Sequence, residues 1–405
     1  MRDSEGQRFE AGDLAGLKYF RPIQKLLERL NAEAAHPNRR LHFDEYTSLL
    51  LLYFFNPVLT SLRDIQKVSN LDIVTKKFGI RRASLGSLSE ASHVFDPEPL
   101  RAILLELGRQ AAAVDGPPRP VGLSEELSLI AADGTLLDAL PKMLWALWLG
   151  VHQNAVKIHL QFDILRSVPI DAEVTAGNES EMDVLKARLG PQRLYAIDRG
   201  YVSYELYQSI LDAKSSFVGR LRGNADCEVI ESRALSNEAR KAGVEADEIV
   251  WLGGEKHGRA LKQPLRRVKI HARNPPHHGL KPRLRRVNRK VKSVRTNEEE
   301  FDVWLITDQM DLLPEVIALL YRYRWQVELF FRWLKCTLGC KHLLSESRNG
   351  IQIQVYAALI AALLVMLWTG RKPNKGALLM LGLYFQGWAN LDELMAYLTK
   401  LKKLA

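Results

Sequence analysis

The sequence predicts an α/β fold: a mixed sheet flanked by helices, interrupted by a β-rich insertion and preceded by an all-α amino-terminal domain. Three observations carry this. Residues 1 to 113 read as helical throughout, segments 127 to 214 alternate between strand and helix patterns, and the interval 215 to 310 gathers β-branched and aromatic runs of strand length.

The amino-terminal helices are read from YTSLLLLYFF, TSLRDIQKVS and PLRAILLELGRQAAA, and the cluster Pro117, Pro118 and Pro120 in DGPPRPVGL then breaks the chain, giving a linker over 114–122. A second segment runs from 123 to 370. It opens with LSLIAA, an apolar run bounded by Gly134-Thr135 that predicts a buried strand ending on Asp133. KIHLQFDIL and SVPIDAEVT predict the next two strands, ESEMDVLKARLG a helix, RLYAID a strand closing on Asp198, and YELYQSILDAK a helix. SSFVGRLRGN, EIVWLGG, PLRRVKIHAR and EFDVWLIT predict the strands of the insertion, about 215–310. The run IQIQVYAALIAALLVMLW is apolar on nearly every face, but two Gln interrupt its start, so a buried helix is expected and not a membrane span. Residues 371–405 complete the chain as a helical segment.

The segment YRYRWQVELFFRWLK places Tyr321, Arg324, Glu328 and Lys335 at offsets of 0, 3, 7 and 14. On one helix those offsets bring the four side chains within about 60° of one another. A carboxylate framed by two cations and a phenol is either a surface ion-pair ladder or a place where a metal and phosphates meet. The pattern Y-x2-R-x3-E-x6-K resembles the signature around the catalytic glutamate of the insertion-sequence-4 family of DDE transposases, whose catalytic domain has a ribonuclease-H-like fold. The DGT segment at Asp133 and the D-R-G-Y segment at Asp198 are similar to the family's two aspartate motifs. The resemblance covers about residues 40 to 370, most firmly 127 to 201 and 300 to 335.

What the resemblance implies is a site in which Asp133, Asp198 and Glu328 are catalytic and bind two Mg²⁺ ions, with Mn²⁺ able to substitute. Magnesium takes oxygen ligands and keeps several waters, so a few carboxylates and a substrate phosphate suffice. Two such ions about 4 Å apart would activate the nucleophile and stabilise the leaving oxygen of a phosphodiester. Tyr321, Arg324 and Lys335 would hold the DNA backbone near the scissile phosphate. The implied activity is cut-and-paste transposition. One strand is cut by water at each transposon end, and the freed 3′ hydroxyl then attacks the opposite strand, by a hairpin route in some relatives, and later target DNA. The partners would be double-stranded DNA, as terminal inverted repeats and target, and a second copy of the chain in a synaptic complex. A nuclease of the same fold and a non-catalytic DNA-binding repressor are the rival classes.

Charge points to the same partner from composition alone. The net charge is +10, yet residues 256 to 295 hold 15 Lys or Arg and no acid, leaving the rest of the chain at −5. Such a polybasic stretch is a nucleic-acid or membrane-surface patch, and its place between Asp198 and Glu328 favours nucleic acid, with Arg285, Arg286 and Arg289 as backbone contacts. In relatives that use a hairpin, an aromatic residue in the insertion stacks on a flipped base; Trp304 resembles it, with Trp251 as a second candidate and a core tryptophan as the alternative. Near the amino terminus, short helices around Gly79 with Arg81, Arg82, Ser84 and Ser87 at a helix start suit either a helix-turn-helix reader of the transposon end or an ordinary bundle.

Three cysteines argue against a disulfide-dependent secreted protein, and Cys336-x3-Cys340-x-His342 shows no obvious fourth ligand for a zinc site. The charged amino terminus has no apolar signal core. A cytoplasmic, nucleoid-associated prokaryotic protein without a membrane partner is therefore expected.

Overall fold

The computed structural model describes residues 27–30, 40–56, 58–72, 74–75, 80–111, 116–140, 142–146, 154–253, 261–273, 284–287, 290–293, 300–336, 338–340, 342–369, 375–385 and 388–403. It divides into two compact units, one of residues 1–118, 130–185 and 325–405, the other of 119–129 and 186–324. The chain leaves the first unit at Pro118, inside the proline cluster, and returns to it at Ile130, so the amino-terminal helices share a unit with strands.

In the first unit, strands β1 (Ser128–Asp138), β2 (Ala155–Asp163) and β3 (Val168–Ala176) pair antiparallel in the order β3-β2-β1. Ile130, Ala131 and Ala132 of β1 and Ile158, Leu160 and Phe162 of β2 are almost fully buried. Among the described residues, helices α1 (Phe43–Phe55), α2 (Leu62–Ser69), α3 (Leu85–Val94) and α4 (Glu98–Gln110) precede them. His42 and Glu45 form a capping box at the start of α1, the Glu45 carboxylate accepting from the His42 amide at 2.9 Å. Ser61 and Ser84 cap α2 and α3 through their hydroxyls. Arg101 of α4 ties this layer to the sheet, its Nη2 donating to Asp171 of β3 at 2.7 Å. Helix α5 (Glu181–Lys186) follows β3.

After the second unit the chain returns as α9 (Trp325–Cys336), α10 (Arg348–Thr369), α11 (Lys375–Phe385) and α12 (Leu391–Lys403). Val327, Phe330, Phe331 and Leu334 of α9 are buried at the i, i+3, i+4, i+7 spacing of a core-facing stripe. Phe330 meets Phe162 of β2 with ring centroids 5.0 Å apart. Helix α10 has the length and hydropathy to cross a bilayer, but 89% of its apolar window is buried in the unit. It packs on α4, α1, α3 and β3, which is how a helix apolar on all faces sits in a core.

In the second unit, β4 (Arg193–Ile197) pairs parallel with β5 (Ser216–Leu221), and antiparallel pairing then runs through β11 (Glu300–Thr307), β8 (Leu265–Arg273) and β7 (Val244–Leu252) to the edge strand β6 (Cys227–Ser232). A separate hairpin joins β9 (Leu284–Val287) to β10 (Lys290–Ser293). The parallel β4–β5 crossover is made by α6 (Tyr204–Asp212), whose Tyr207 stacks on Phe217 at 4.4 Å. Helices α7 (Asn237–Lys241) and α8 (Pro314–Tyr323) complete the unit. The architecture is the expected mixed α/β fold, with helices flanking the strands and a β-rich stretch at the expected insertion.

Two expectations about elements are corrected. The strand bearing Asp133 does not end there: Gly134 to Asp138 continue the ladder with β2, Gly134 opposite His159 and Thr135 opposite Ile158, so Asp133 lies within an eleven-residue strand, opposite Leu160. Gly134 interrupts the apolar run but not the backbone pairing, since a glycine can hold extended geometry at an entropic cost that the ladder outweighs. The Tyr-Arg-Glu-Lys segment is not one helix either. Helix α8 ends at Tyr323, Arg324 caps it, and α9 starts at Trp325.

Candidate active site

In the first unit Asp133 is half-buried on β1, and its Oδ1 accepts from the Gly134 amide at 2.8 Å. Side chains alternate along a strand, so Ala131, Asp133 and Thr135 share a face. Helix α9 lies on this face. Phe162, directly opposite Ala131, touches Phe330, and Lys335 Nζ donates to Thr135 Oγ1 at 2.8 Å. Glu328 and Lys335 are seven residues apart, hence about 20° apart around α9. The stripe that brings Lys335 to the Asp133 face therefore also carries Glu328. Glu328 stands in the first turn of α9, where the helix dipole favours a negative charge, and Lys335 in the last, where it favours a positive one.

In the second unit Asp198 follows β4 directly and precedes a short 3₁₀ turn, Arg199–Tyr201. It is half-buried, and the Tyr321 phenol of α8 donates to its Oδ1 at 3.1 Å. Burial, with Asp198 adding to it, pushes the Tyr321 phenol up to about 12. The phenol therefore stays a protonated donor throughout the neutral range. Arg324 is 7% exposed, with its guanidinium 5.8 Å from the Tyr321 ring centre, so it backs the phenol from inside the fold.

The residue types suit a hard divalent cation: Asp133 and Glu328 in the first unit and Asp198 in the second each offer only oxygen, with the Gly134 amide bonded to Asp133 and the Tyr321 phenol to Asp198. A second group, Glu245, His271 and Asp302, has ligand atoms within 4.8 Å of one another. There the Lys269 ammonium already bridges the two carboxylates, at 2.6 Å from Glu245 and 2.8 Å from Asp302. Cys340 is fully buried while Cys336 and His342 are exposed.

The basic run is not uniformly available to a polyanion. Arg266 pairs with Asp247 at 2.7 Å and is 2% exposed, Arg267 pairs with Glu248 at 2.5 Å, and Lys262 pairs with Asp212 at 3.1 Å. The partners are acids of β7 and α6, which a count confined to residues 256–295 cannot include. Arg285 and Arg286 lie on β9 of the separate hairpin, opposite Lys292 and Val291, and Arg289 falls outside the described residues. Trp304 is half-buried on β11, with the Arg267 guanidinium 4.1 Å from its ring centre. Trp251, on β7, is half-buried as well. Arg81 bonds the buried Glu45 at 3.2 Å and Arg82 bonds Asp72 at 3.1 Å, so each shares its charge with a carboxylate.

Sequence reasoning passed over Trp325, the first residue of α9, which is 50% exposed and three positions before Glu328. Its signal was available: the buried stripe of α9 begins at Val327, which leaves position 325 on the outer side.

Comparison with known proteins places the chain among mobile-element proteins. A family model described as "Transposase DDE domain" matches residues 125–364, more than half the chain. Relatives named as transposases include y4zB of Sinorhizobium fredii, 25% identical over 51% of this chain and 52% of that protein. Another, of insertion sequence element IS5377 from Geobacillus stearothermophilus, is 27% identical over 55% and 51%. A third, of element IS4SA from Synechocystis, is 22% identical over 89% and 91%. The matches thus span about half the length of the first two relatives and most of the third. Among solved structures, the piggyBac transposase synaptic complex with hairpin DNA is similar at a TM-score of 0.45 and 11% identity, over 100% of this chain and 84% of that one.

Proposed function

The chain belongs to the transposase DDE domain family, and from that premise we propose that it is a DNA transposase that cuts phosphodiester bonds at the ends of a mobile element and joins those ends to target DNA. The observation that carries the reading is the Lys335–Thr135 hydrogen bond, which lays the stripe of α9 bearing Glu328 along the face of β1 that bears Asp133. We assign Asp133, Asp198 and Glu328 as ligands to two Mg²⁺ ions, with Mn²⁺ as a substitute. When bound, the ions supply an activated nucleophile and charge stabilisation on the leaving oxygen. Tyr321 fixes the orientation of Asp198, Arg324 supports Tyr321 from behind, and Lys335 offers an ammonium to a phosphate beside Thr135. The partners assigned are terminal inverted repeats, target DNA and a second copy of the chain.

A cleavage assay on supercoiled DNA carrying the native terminal repeats tests this. Magnesium-dependent nicking at the repeat ends followed by strand transfer is expected. Nicking without transfer would make the protein a nuclease, and binding without nicking a repressor. In the same assay Tyr321→Phe removes only the hydrogen bond to Asp198. It should slow nicking by about tenfold, the worth of one hydrogen bond to a charged group, while DNA affinity stays unchanged.

The contrast within the basic run gives a second expectation. Neutralising Arg285, Arg286 and Arg289 together should flatten the slope of log affinity against log salt by up to about 0.9 for each phosphate no longer neutralised, with sequence preference unchanged. An unchanged slope would remove the hairpin from the DNA surface.

A further inference from the structure

We propose that Arg266, although it lies in the most basic stretch of the chain, is a positioning residue for the Tyr321–Asp198 pair and not a DNA contact; the inference rests on the functional reading above. Arg266 is 2% exposed, so a phosphate does not reach its guanidinium. Nε and Nη2 take the two oxygens of Asp247 at 2.8 and 2.7 Å. The remaining nitrogen, Nη1, donates to the carbonyls of Gln309 at 3.3 Å, Met310 at 3.0 Å and Leu312. Those carbonyls form the turn between β11 and α8.

That turn is held at every step. Asp308 accepts from the Phe217 amide at 2.9 Å, Thr307 Oγ1 donates to the Phe217 carbonyl at 2.6 Å, and Gln309 Nε2 donates to Ser216 Oγ at 2.8 Å. Arg233 Nη1 adds a bond to the Met310 carbonyl at 2.6 Å. The turn leads straight into Pro314, the first residue of α8, and no side chain caps this helix. Arg266 and Arg233 therefore do from outside what a cap does from within, fixing where α8 starts. Tyr321 stands two turns along, about 10 Å away on a rigid rod, so a shift at Pro314 becomes a shift of the phenol at Asp198. Only arginine offers a planar fork to a carboxylate and a further nitrogen to carbonyls at once, and a lysine cannot serve both. Strands β7 and β8 of the insertion, through Asp247 and Arg266, thus set the geometry of a proposed metal ligand just after β4.

The test uses the full-length chain with Arg266→Lys and Asp247→Asn, and Val250→Ala on β7 as a control that lowers stability while removing none of the turn's hydrogen bonds. The first readout is hydrogen exchange, independent of activity. Amides of 308–323 should exchange at least about tenfold faster in both variants, while those of β4 keep their protection; acceleration spread evenly over the unit, as the control gives, would overturn the proposal. The second is kinetic. The turnover number for nicking should fall by up to about tenfold, the full cost of losing the Tyr321–Asp198 bond, with KM and salt slope unchanged, and in a Tyr321→Phe background the same substitution should cost less than about threefold. Equal losses in both backgrounds would make the role merely structural, and a slope flattened by about 0.9 would make Arg266 a DNA contact. If Arg266→Lys fails to fold, Arg233→Met removes the Met310 bond, together with an ion pair to the exposed Glu231, and carries the same readouts. A wild-type chain that does not nick would sink the transposase reading alone, and hydrogen exchange would still decide the positioning role.

Discussion

Asp133→Asn, Asp198→Asn and Glu328→Gln are each expected to bind terminal-repeat DNA with near wild-type affinity and to cut it at least about a thousandfold more slowly. The substitutions keep shape and remove one charge. The side-chain amide introduced by Asp133→Asn retains an oxygen for the Gly134 amide, and that introduced by Asp198→Asn retains one for the Tyr321 phenol, so the local hydrogen bonds seen at both aspartates survive. What disappears is a negative ligand for a hard dication, which an amide oxygen replaces poorly. Affinity for DNA rests on phosphate contacts elsewhere and changes little. Replacing Mg²⁺ by Ca²⁺ in the unaltered protein should likewise allow binding and stop cleavage. Melting temperature, gel-shift affinity and nicking rate measured side by side separate the possibilities. Any one variant nicking near the wild-type rate would strike its residue from the site, and a variant that loses DNA binding together with cleavage would point to a folding defect instead.

The residue types of the candidate site were more legible in the sequence than the elements that carry them. Asp198 could be read correctly from a strand that stops and a turn that follows, because both signals are local. Asp133 could not, because whether a backbone stays in a ladder past Gly134 depends on β2, which reaches residue 155 only after a long connection. The spacing of Tyr321, Arg324, Glu328 and Lys335 was real, but the break at Arg324 is set by tertiary packing and leaves no trace in the periodicity. Edge strand β6 was missed for a related reason. Its CEVIES sequence is almost entirely exposed, so it shows no buried alternation, and only its ladder with β7 defines it. The basic run misled most, since charge counted along a chain omits the acids that the neighbouring strand brings opposite: Arg267 of β8 faces Glu248 of β7.

On the proposed transposase reading, Trp304, Trp251 and the exposed Trp325 are candidates for stacking on a flipped base, and the settings of Trp304 and Trp325 give opposite expectations. Trp304 is half-buried on a strand flanked on both sides, with one ring face covered by a guanidinium that is itself held by Glu248. A flipped base would have to displace that arginine, giving up a cation–π interaction of about 0.5 to 2 kcal/mol before stacking gains anything. Trp325 is half-exposed at the head of α9 and meets no such requirement. Trp304→Ala should therefore lower stability by about 2 to 3 kcal/mol, less than a fully buried indole costs, and depress nicking, second-strand cleavage and transfer together. Trp325→Ala should leave the melting temperature nearly unchanged and keep first-strand nicking. It should remove about 1 to 3 kcal/mol of stacking and so slow the second-strand step by about 5- to 150-fold, because the strand that must fold back is no longer held out of the duplex. Separate yields for the two strands, read beside melting curves, decide between them. A Trp304→Ala protein that melts like wild type yet fails only at the second strand would return the role to Trp304, and a Trp325→Ala protein with both steps intact would take it from Trp325.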